Sequence, residues 1–107
     1  MQARVVYFDG CPCWRTATDR LSHALMLIGQ DEVQVDLVEV QSDAAASGFN
    51  GSPTILIDGD DLFPGPFRGP AAGAGGLSCR LYPTSTGLAG APTVDDLVLA
   101  LRERNRP

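Results

Sequence analysis

The chain has 107 residues, of which 44% are hydrophobic and 20% are charged, and its net charge at pH 7 is −5. This length predicts one domain, 1–107, with a single core. All eight basic residues are arginine, and the acidic balance disfavours nonspecific binding to nucleic acid. Since no apolar stretch has the length of a membrane span and no signal peptide precedes the first predicted strand, we expect a cytoplasmic protein without a membrane partner.

Two cysteines stand where a predicted strand gives way to a helix. The apolar run Val5–Phe8 favours a buried strand, and Asp9-Gly10 is typical of a turn. Pro12 suits the first position of a helix, which places Cys11 and Cys13 on the first turn. Unpaired amide groups and the positive end of the helix dipole stabilise an anion there, so we expect a lowered pKa for the Cys11 thiol.

The following elements predict a βαβ unit. An apolar stripe at helical spacing predicts an amphipathic helix from Cys13 to about Gly29, with His23 on its solvent-facing side. Alternation over Val33–Val40 predicts a second strand, parallel to the first. Ser42 is a suitable N-cap for a short helix over 43–47. The stripe consists of Trp14, Ala17, Thr18, Leu21, Ala24, Leu25 and Ile28.

Pro53 opens a third apolar run that ends at the turn signal Asp58-Gly59. A proline at the head of a strand marks an edge or a special turn, and a cis X-Pro bond would be useful there. The Pro- and Gly-rich segment 63–78 predicts no regular element; it is either a mobile surface loop or a loop that contacts substrate.

The last part of the chain predicts a short strand and a closing helix. Cys79–Tyr82 is the strand candidate, and 83–92 is rich in turn residues. Thr93 is a suitable N-cap, with Asp95 and Asp96 in the first turn and an apolar face after them.

Three cysteines in a reducing compartment indicate redox or metal chemistry rather than a structural disulfide framework. The odd count leaves one thiol outside any single pair. Cysteine is also a common small buried residue, and for Cys79 that interpretation stands beside a reactive one.

These motifs resemble the thioredoxin superfamily, in its short glutaredoxin-type form. The resemblance rests on an apolar strand, Cys11-Pro12 at the head of a helix, a second strand, and Ser52-Pro53-Thr54 before a third. It implies a thioredoxin-like α/β fold, with a mixed four-stranded sheet flanked by about three helices and the 63–78 insertion before the last strand. It also implies a cis proline beside the active-site thiol. The family spaces its cysteines by two residues, whereas here only Pro12 separates them.

Three stretches together are similar to small bacterial thioredoxin-like proteins, some of which are labelled alkylmercury lyase. They are Tyr7–Pro12, Gly51–Thr54, and Leu77–Arg80 followed by Tyr82.

The activity implied is thiol–disulfide exchange on a protein or small-molecule substrate. Cys11 would be the attacking thiolate, and Cys13 first or Cys79 second would resolve the mixed disulfide. Glutathione or a protein dithiol would exchange electrons with the protein, and no bound organic cofactor is needed. Trp14 is either a core residue or a platform that faces the substrate. The expected substrate-binding residues are Pro12, Trp14, Ser52 and Pro53.

The alternative is a protein that handles soft metals. Thiolates of Cys11, Cys13 and Cys79 would suit Cu(I), Zn or Hg(II), although a structural zinc site usually needs four ligands. Cleavage of an organomercurial would also need a proton donor near the thiols. Asp9 is the only carboxylate close in sequence, and a plain turn role is favoured for it.

Overall fold

The computed structural model describes residues 1–8, 10, 13–30, 32–40, 51–63, 68–71, 78–84 and 87–104, with the backbone alone for 68–71, 78 and 79. Its elements form a mixed α/β structure, and they are, in chain order, β1 (Ala3–Tyr7), α1 (Cys13–Leu27), β2 (Val35–Glu39), β3 (Thr54–Ile57), β4 (Asp60–Asp61), β5 (Arg68–Ala71), β6 (Ser78–Arg80), β7 (Tyr82–Thr84), β8 (Gly87–Ala89) and α2 (Val94–Arg104). The described residues contain two helices, fewer than the three or so expected, and the predicted helix over 43–47 lies outside them.

The main sheet is mixed and four-stranded, as predicted, with the strand order β2-β1-β3-β4. β1 pairs in parallel with β2, so that Val5 lies opposite Leu37, and this confirms the parallel βαβ unit. β1 pairs antiparallel with β3, where Val5 lies opposite Ile55. β1 and β3 are therefore the two central strands of this sheet.

The fourth strand of this sheet is not the one that we expected. β4 occupies the position, because Asp58 and Gly59 adopt φ values of 52° and 85° and return the chain at once against β3. Positive φ at both turn residues is the geometry of a tight hairpin, as the Asp58-Gly59 signal predicted. The predicted strand Cys79–Tyr82 is instead divided between β6, which pairs with β5, and β7, which pairs with β8.

The prediction that 63–78 contains no regular element was wrong. β5 lies within this segment and pairs antiparallel with β6, Arg68 opposite Arg80 and Ala71 opposite Ser78. The register shifts between those two pairs, and Pro70 falls within the shift. A two-stranded ladder has only outer strands, which tolerate a proline that cannot donate a hydrogen bond.

Both helices contribute to the main apolar cluster with one face of the sheet. The predicted stripe of α1 is confirmed, since its inner residues are buried, and His23 on the other side is exposed. Fully buried members of the cluster are Ala3, Val5, Leu21, Ala24, Leu25, Ile55, Ile57, Leu97 and Leu101. A smaller cluster contains Val6, Phe8, Val40 and Leu56. Because strand residues alternate, β1 and β3 each supply both clusters.

The ends of the helices follow the capping signals in the sequence. Gly29, just after α1, has φ 80°. Its amide donates to the Met26 carbonyl, and the Gln30 amide donates to the Leu25 carbonyl. This pair of hydrogen bonds is a Schellman motif. At the start of α2, the Asp96 amide donates to Thr93 Oγ1 at 3.1 Å and the Thr93 amide donates to Asp96 Oδ2 at 3.3 Å. This reciprocal pair is a capping box with Asp in place of Glu.

Neither α1 nor α2 has the length and apolar character that a membrane-spanning helix needs.

Candidate functional site

The start of α1 is the first component of the candidate site. Cys13 is the first residue of the helix and carries a free, half-buried thiol. The first turn of an α-helix has amide groups without intrahelical partners, and no acidic side chain lies in this one. Cys11 and Pro12, together with Asp9, lie outside the described residues, so their predicted roles stay predictions.

Cys13 is in close contact with Gly90, in the segment between β8 and α2. A Cβ atom added at Gly90 would overlap Cys13 Sγ and lie 3.1 Å from Cys13 Cβ. That segment is fixed on both sides, because Ala89 before it pairs with Tyr82 in the β7–β8 ladder, and Arg20 of α1 donates to the Pro92 carbonyl after it at 3.1 Å. The sulfur of Cys13 thus packs directly against the backbone at residue 90, and only glycine at that position leaves room for it.

Trp14 lies on the edge of the core, so the structure does not decide between its two predicted roles. Its ring stacks on Tyr7 with centroids 4.1 Å apart and an angle of 22°, and it packs against the main apolar cluster. The guanidinium of Arg15, an exposed residue, lies 5.1 Å from the centroid of the Trp14 ring. An aromatic pair beneath an exposed cation therefore adjoins Cys13.

The second component is the proline turn, which we define as residues 51–54. The Ser52–Pro53 peptide bond is cis, the isomer expected to be useful here. The Phe8 amide donates to Ser52 Oγ at 3.2 Å, and Thr54 Oγ1 donates to the Gly51 carbonyl at 2.5 Å. Phe8 stands three positions before Cys11. The hydroxyl of Ser52 therefore ties the proline turn to the segment that contains the cysteines.

The proline turn is covered from behind by residues 80–82. The Arg80 amide donates to the Ser52 carbonyl at 2.8 Å, and the Tyr82 hydroxyl donates to the Pro53 carbonyl. A Cβ at Gly51 would lie 3.1 Å from Arg80 Cβ, and Gly51 has φ 98°, so this approach requires glycine. Ser52 is 0% exposed and Pro53 is fully buried. Both carbonyl oxygens next to the cis bond are thus engaged within the chain.

A buried charge lies at the centre of this support. Arg80 is 2% exposed, and its guanidinium donates to Asp61 Oδ2 at 2.7 Å and to the Phe63 carbonyl. The guanidinium also lies 4.9 Å from the centroid of the Tyr82 ring. The rings of Tyr82 and Phe63 meet edge to face, with their centroids 5.4 Å apart. We call these four residues the arginine cluster. Because the charge has a carboxylate, a carbonyl and an aromatic face as partners, its burial is compensated.

The hydroxyl of Tyr82 is held in its neutral form. Burial raises the pKa of Tyr82 above its usual range, an effect that the Arg80 charge opposes and the Asp61 charge reinforces. A neutral hydroxyl can donate, which is what the bond to the Pro53 carbonyl requires.

The predicted site residues fall into three groups. Ser52 and Pro53 lie together in the proline turn, and Cys13 and Trp14 lie together at the start of α1. Cys79 lies in β6, next to Arg80, and its side chain is outside the described part of the structure. Among the described residues, no three His, Cys, Asp or Glu side chains cluster as a metal site would need.

Sequence reasoning missed Gly90 and gave no role to the arginine cluster. Arg80 and Tyr82 stood in a predicted short strand that was also noted for its resemblance, and an arginine in a short strand is usually exposed. A signal could have come from Asp61, which accepts from the Arg80 guanidinium, but Asp61 is 19 positions away. Nothing in the local pattern connects the two residues.

No protein-family model, curated protein or solved structure matches the chain.

Proposed function

We propose that the protein is a thioredoxin-like thiol–disulfide oxidoreductase in which Cys11 is the attacking thiolate. Cys13 is its first partner and Cys79 its second. The observation that carries the proposal is the hydrogen bond from the Phe8 amide to Ser52 Oγ, at 3.2 Å. It joins the proline turn to Phe8, which stands three positions before Cys11, and this supports a single site made of the helix start that carries the thiols and the strand that follows Pro53.

The fold supports the thioredoxin-like part of the proposal. A parallel β1-α1-β2 unit is followed by β3, which begins directly after Pro53 and pairs antiparallel with β1. A closing helix, α2, packs with α1 against the same sheet face. The resemblance to the thioredoxin superfamily rests on these same elements in this same order.

The local electrostatics support a reactive thiol. The amide groups at the start of α1 and the helix dipole favour an anion, and the first turn has no carboxylate to take this role. A thiolate is the form of cysteine that attacks a disulfide.

The reaction proceeds by two exchanges. The Cys11 thiolate attacks one sulfur of the substrate disulfide, that S–S bond breaks, and one substrate thiolate leaves while a mixed disulfide forms. The Cys13 or Cys79 thiolate then attacks Cys11 Sγ, releases the second substrate thiolate and leaves an intrachain disulfide. The substrate gains two electrons and the protein loses two. Two molecules of a monothiol other than the reduced substrate return the protein to its dithiol form and become a disulfide; glutathione serves for a protein disulfide, and a dithiol such as dithiothreitol serves when the substrate is glutathione disulfide.

Replacement of the attacking sulfur tests the proposal. In a glutathione-disulfide or insulin-reduction assay we expect Cys11→Ser to lower turnover to the uncatalysed background, because a hydroxyl does not exchange with disulfides. Ser22→Ala is the matched control, since Ser22 is exposed on α1. Circular dichroism of both variants checks the fold.

Unchanged turnover in Cys11→Ser would remove the catalytic assignment. Stoichiometric, tight binding of Hg(II) or Cu(I) by the reduced protein, without disulfide turnover, would favour the soft-metal alternative. Mass spectrometry of the oxidised protein identifies which sulfur pairs with Cys11.

A further inference from the structure

We propose that the protein forms a symmetric dimer in which the outer edge of β2 pairs antiparallel with β2 of a second copy, so that two four-stranded sheets become one sheet of eight strands. This inference goes beyond the proposed function, and it does not depend on the chemistry of the cysteines.

The two outer strands of the main sheet differ in how far they are protected from pairing. β4 has only two residues, both aspartate, and Arg104 donates to Asp60 Oδ2 at 3.0 Å. Short length and charge are common means by which an outer strand avoids a further partner. β2 has five residues, no proline and an unbroken register with β1, and no described strand pairs with its other side. β2 therefore presents an open edge.

The hydrogen bonds of β2 to β1 identify the backbone groups at this edge. The amide of Val40, directly after β2, donates to the Tyr7 carbonyl at 2.8 Å. Because backbone N–H and C=O groups alternate in direction along a strand, every second residue back from Val40 points to β1, and the residues between them point outward. The outward groups belong to Val35, Leu37 and Glu39. β2 thus offers three donors and three acceptors to another strand.

One register of β2 with itself uses all of these groups. With Leu37 opposite Leu37 of the second copy, Val35 lies opposite Glu39, and each of these pairs exchanges two hydrogen bonds. Asp36 then lies opposite Val38, so no carboxylate of β2 directly faces another. A register centred on Asp36 or Glu39 places like charges opposite each other. One centred on Val35 or Val38 brings residues outside β2 into the ladder.

The same register covers an apolar side chain that one chain alone leaves in water. Leu37 lies opposite Val5 of the main cluster, but Val5 is 0% exposed whereas Leu37 is 47% exposed. An outer strand with an exposed apolar residue is a template for pairing. At the two-fold axis, Leu37 would supply both the central hydrogen bonds and an apolar contact with its own copy, as a self-complementary interface requires. This favours a second copy of the chain over a foreign strand.

Sedimentation equilibrium of the reduced protein over a range of concentrations tests the dimer. We expect the molar mass to rise with concentration from the 11.3 kDa of one chain to twice that value. Leu37→Glu should raise the dissociation constant at least about tenfold, because two facing carboxylates replace the apolar contact. Leu88→Glu is the matched control, since it makes the same change at a leucine of β8 that is 56% exposed, and it should leave the dissociation constant unchanged.

A mixture of variants distinguishes lost pairing from a folding defect. Leu37→Glu and Leu37→Lys in equal amounts should restore the doubled mass, because opposite charges then face each other. Hydrogen exchange tests the register in the unmodified protein. The amides of Leu37 and Glu39 should become protected as the concentration rises, whereas the Val38 amide, which points to β1, should be protected throughout.

Three results would overturn the proposal. The first is the mass of a single chain at every concentration, which would leave the edge of β2 open to a strand of another protein. The second is a Leu37→Glu variant that dimerises as the parent does, or a mixture of the two charged variants that stays monomeric. The third is a doubled mass without protection of the Leu37 amide, which would place the contact on another surface.

Discussion

From the contact between Gly90 and Cys13 we predict how much a side chain at position 90 would destabilise the protein. Gly90→Ala adds a methyl group that overlaps Cys13 Sγ and lies 3.1 Å from Cys13 Cβ. The neighbours cannot recede freely, because β8 pairs with β7 on one side of Gly90 and Arg20 holds the Pro92 carbonyl on the other. The variant should therefore have a lower free energy of unfolding, and the size of this decrease should depend on the presence of Cys13 Sγ.

The magnitude follows from two opposing effects. Inserting a methyl group into a packed site costs about 1–3 kcal/mol. Gly90 does not have the positive φ seen at Gly29 and Gly51, so alanine fits its backbone, and restricting the unfolded chain returns about 0.4–1 kcal/mol. We expect a net loss of about 1–2 kcal/mol in the free energy of unfolding.

A double-mutant cycle with Cys13→Ala isolates the contact. Removing Sγ relieves the overlap, so Gly90→Ala should cost about 1 kcal/mol less in the Cys13→Ala background. Urea denaturation measures each free energy, provided that the slope m is the same in all four proteins. Gly29→Ala is the control: nothing lies within 4 Å of its added Cβ, so its cost should not change with residue 13.

A coupling energy below about 0.5 kcal/mol would refute the reasoning, since distant, independent sites give values of that size. It would mean that the sulfur of Cys13 does not face Gly90 in solution.

Two further predictions concern charge burial and capping. Arg80→Met should lower the free energy of unfolding by about 3–5 kcal/mol because it leaves Asp61 without its buried partner. Arg104→Met, which removes a more exposed pair with Asp60, should cost less than about 1 kcal/mol, and equal losses in urea denaturation would contradict this contrast. Thr93→Ala should cost about 1 kcal/mol through loss of the α2 cap, and unchanged stability would show that the box contributes nothing.

The sequence was sufficient wherever a periodic pattern and a local stop signal coincided. α1 was predicted from its apolar stripe and from Gly29, and α2 from Thr93 and the residues after it. β1 and β3 were predicted from apolar runs, and the parallel position of β2 followed from the helix between β1 and β2. In each of these cases the pattern that predicts the element is contained in the element itself and in the residues next to it.

The remaining strands could not be predicted, because their own residues carry no strand pattern and pairing with a partner strand determines them. β5 forms in a segment dense in proline and glycine only because β6 pairs with it. Asp60 and Asp61 complete the main sheet although aspartate is a poor strand former, since the hairpin turn delivers them to β3. The predicted strand Cys79–Tyr82 was divided for the same reason, as its two halves have different partners.

Within the candidate site, Ser52 is the point where the two halves of the chain meet. Its hydroxyl accepts from Phe8 in the N-terminal half, and its carbonyl accepts from Arg80 in the C-terminal half. A change in the arginine cluster can thus reach the cysteine segment through one buried residue. Because Ser52 is held on both sides, Phe8, the residue that follows β1, is anchored to the proline turn. Under the proposed function this anchor would position the thiolate before the substrate arrives, which would lower the entropic cost of the exchange.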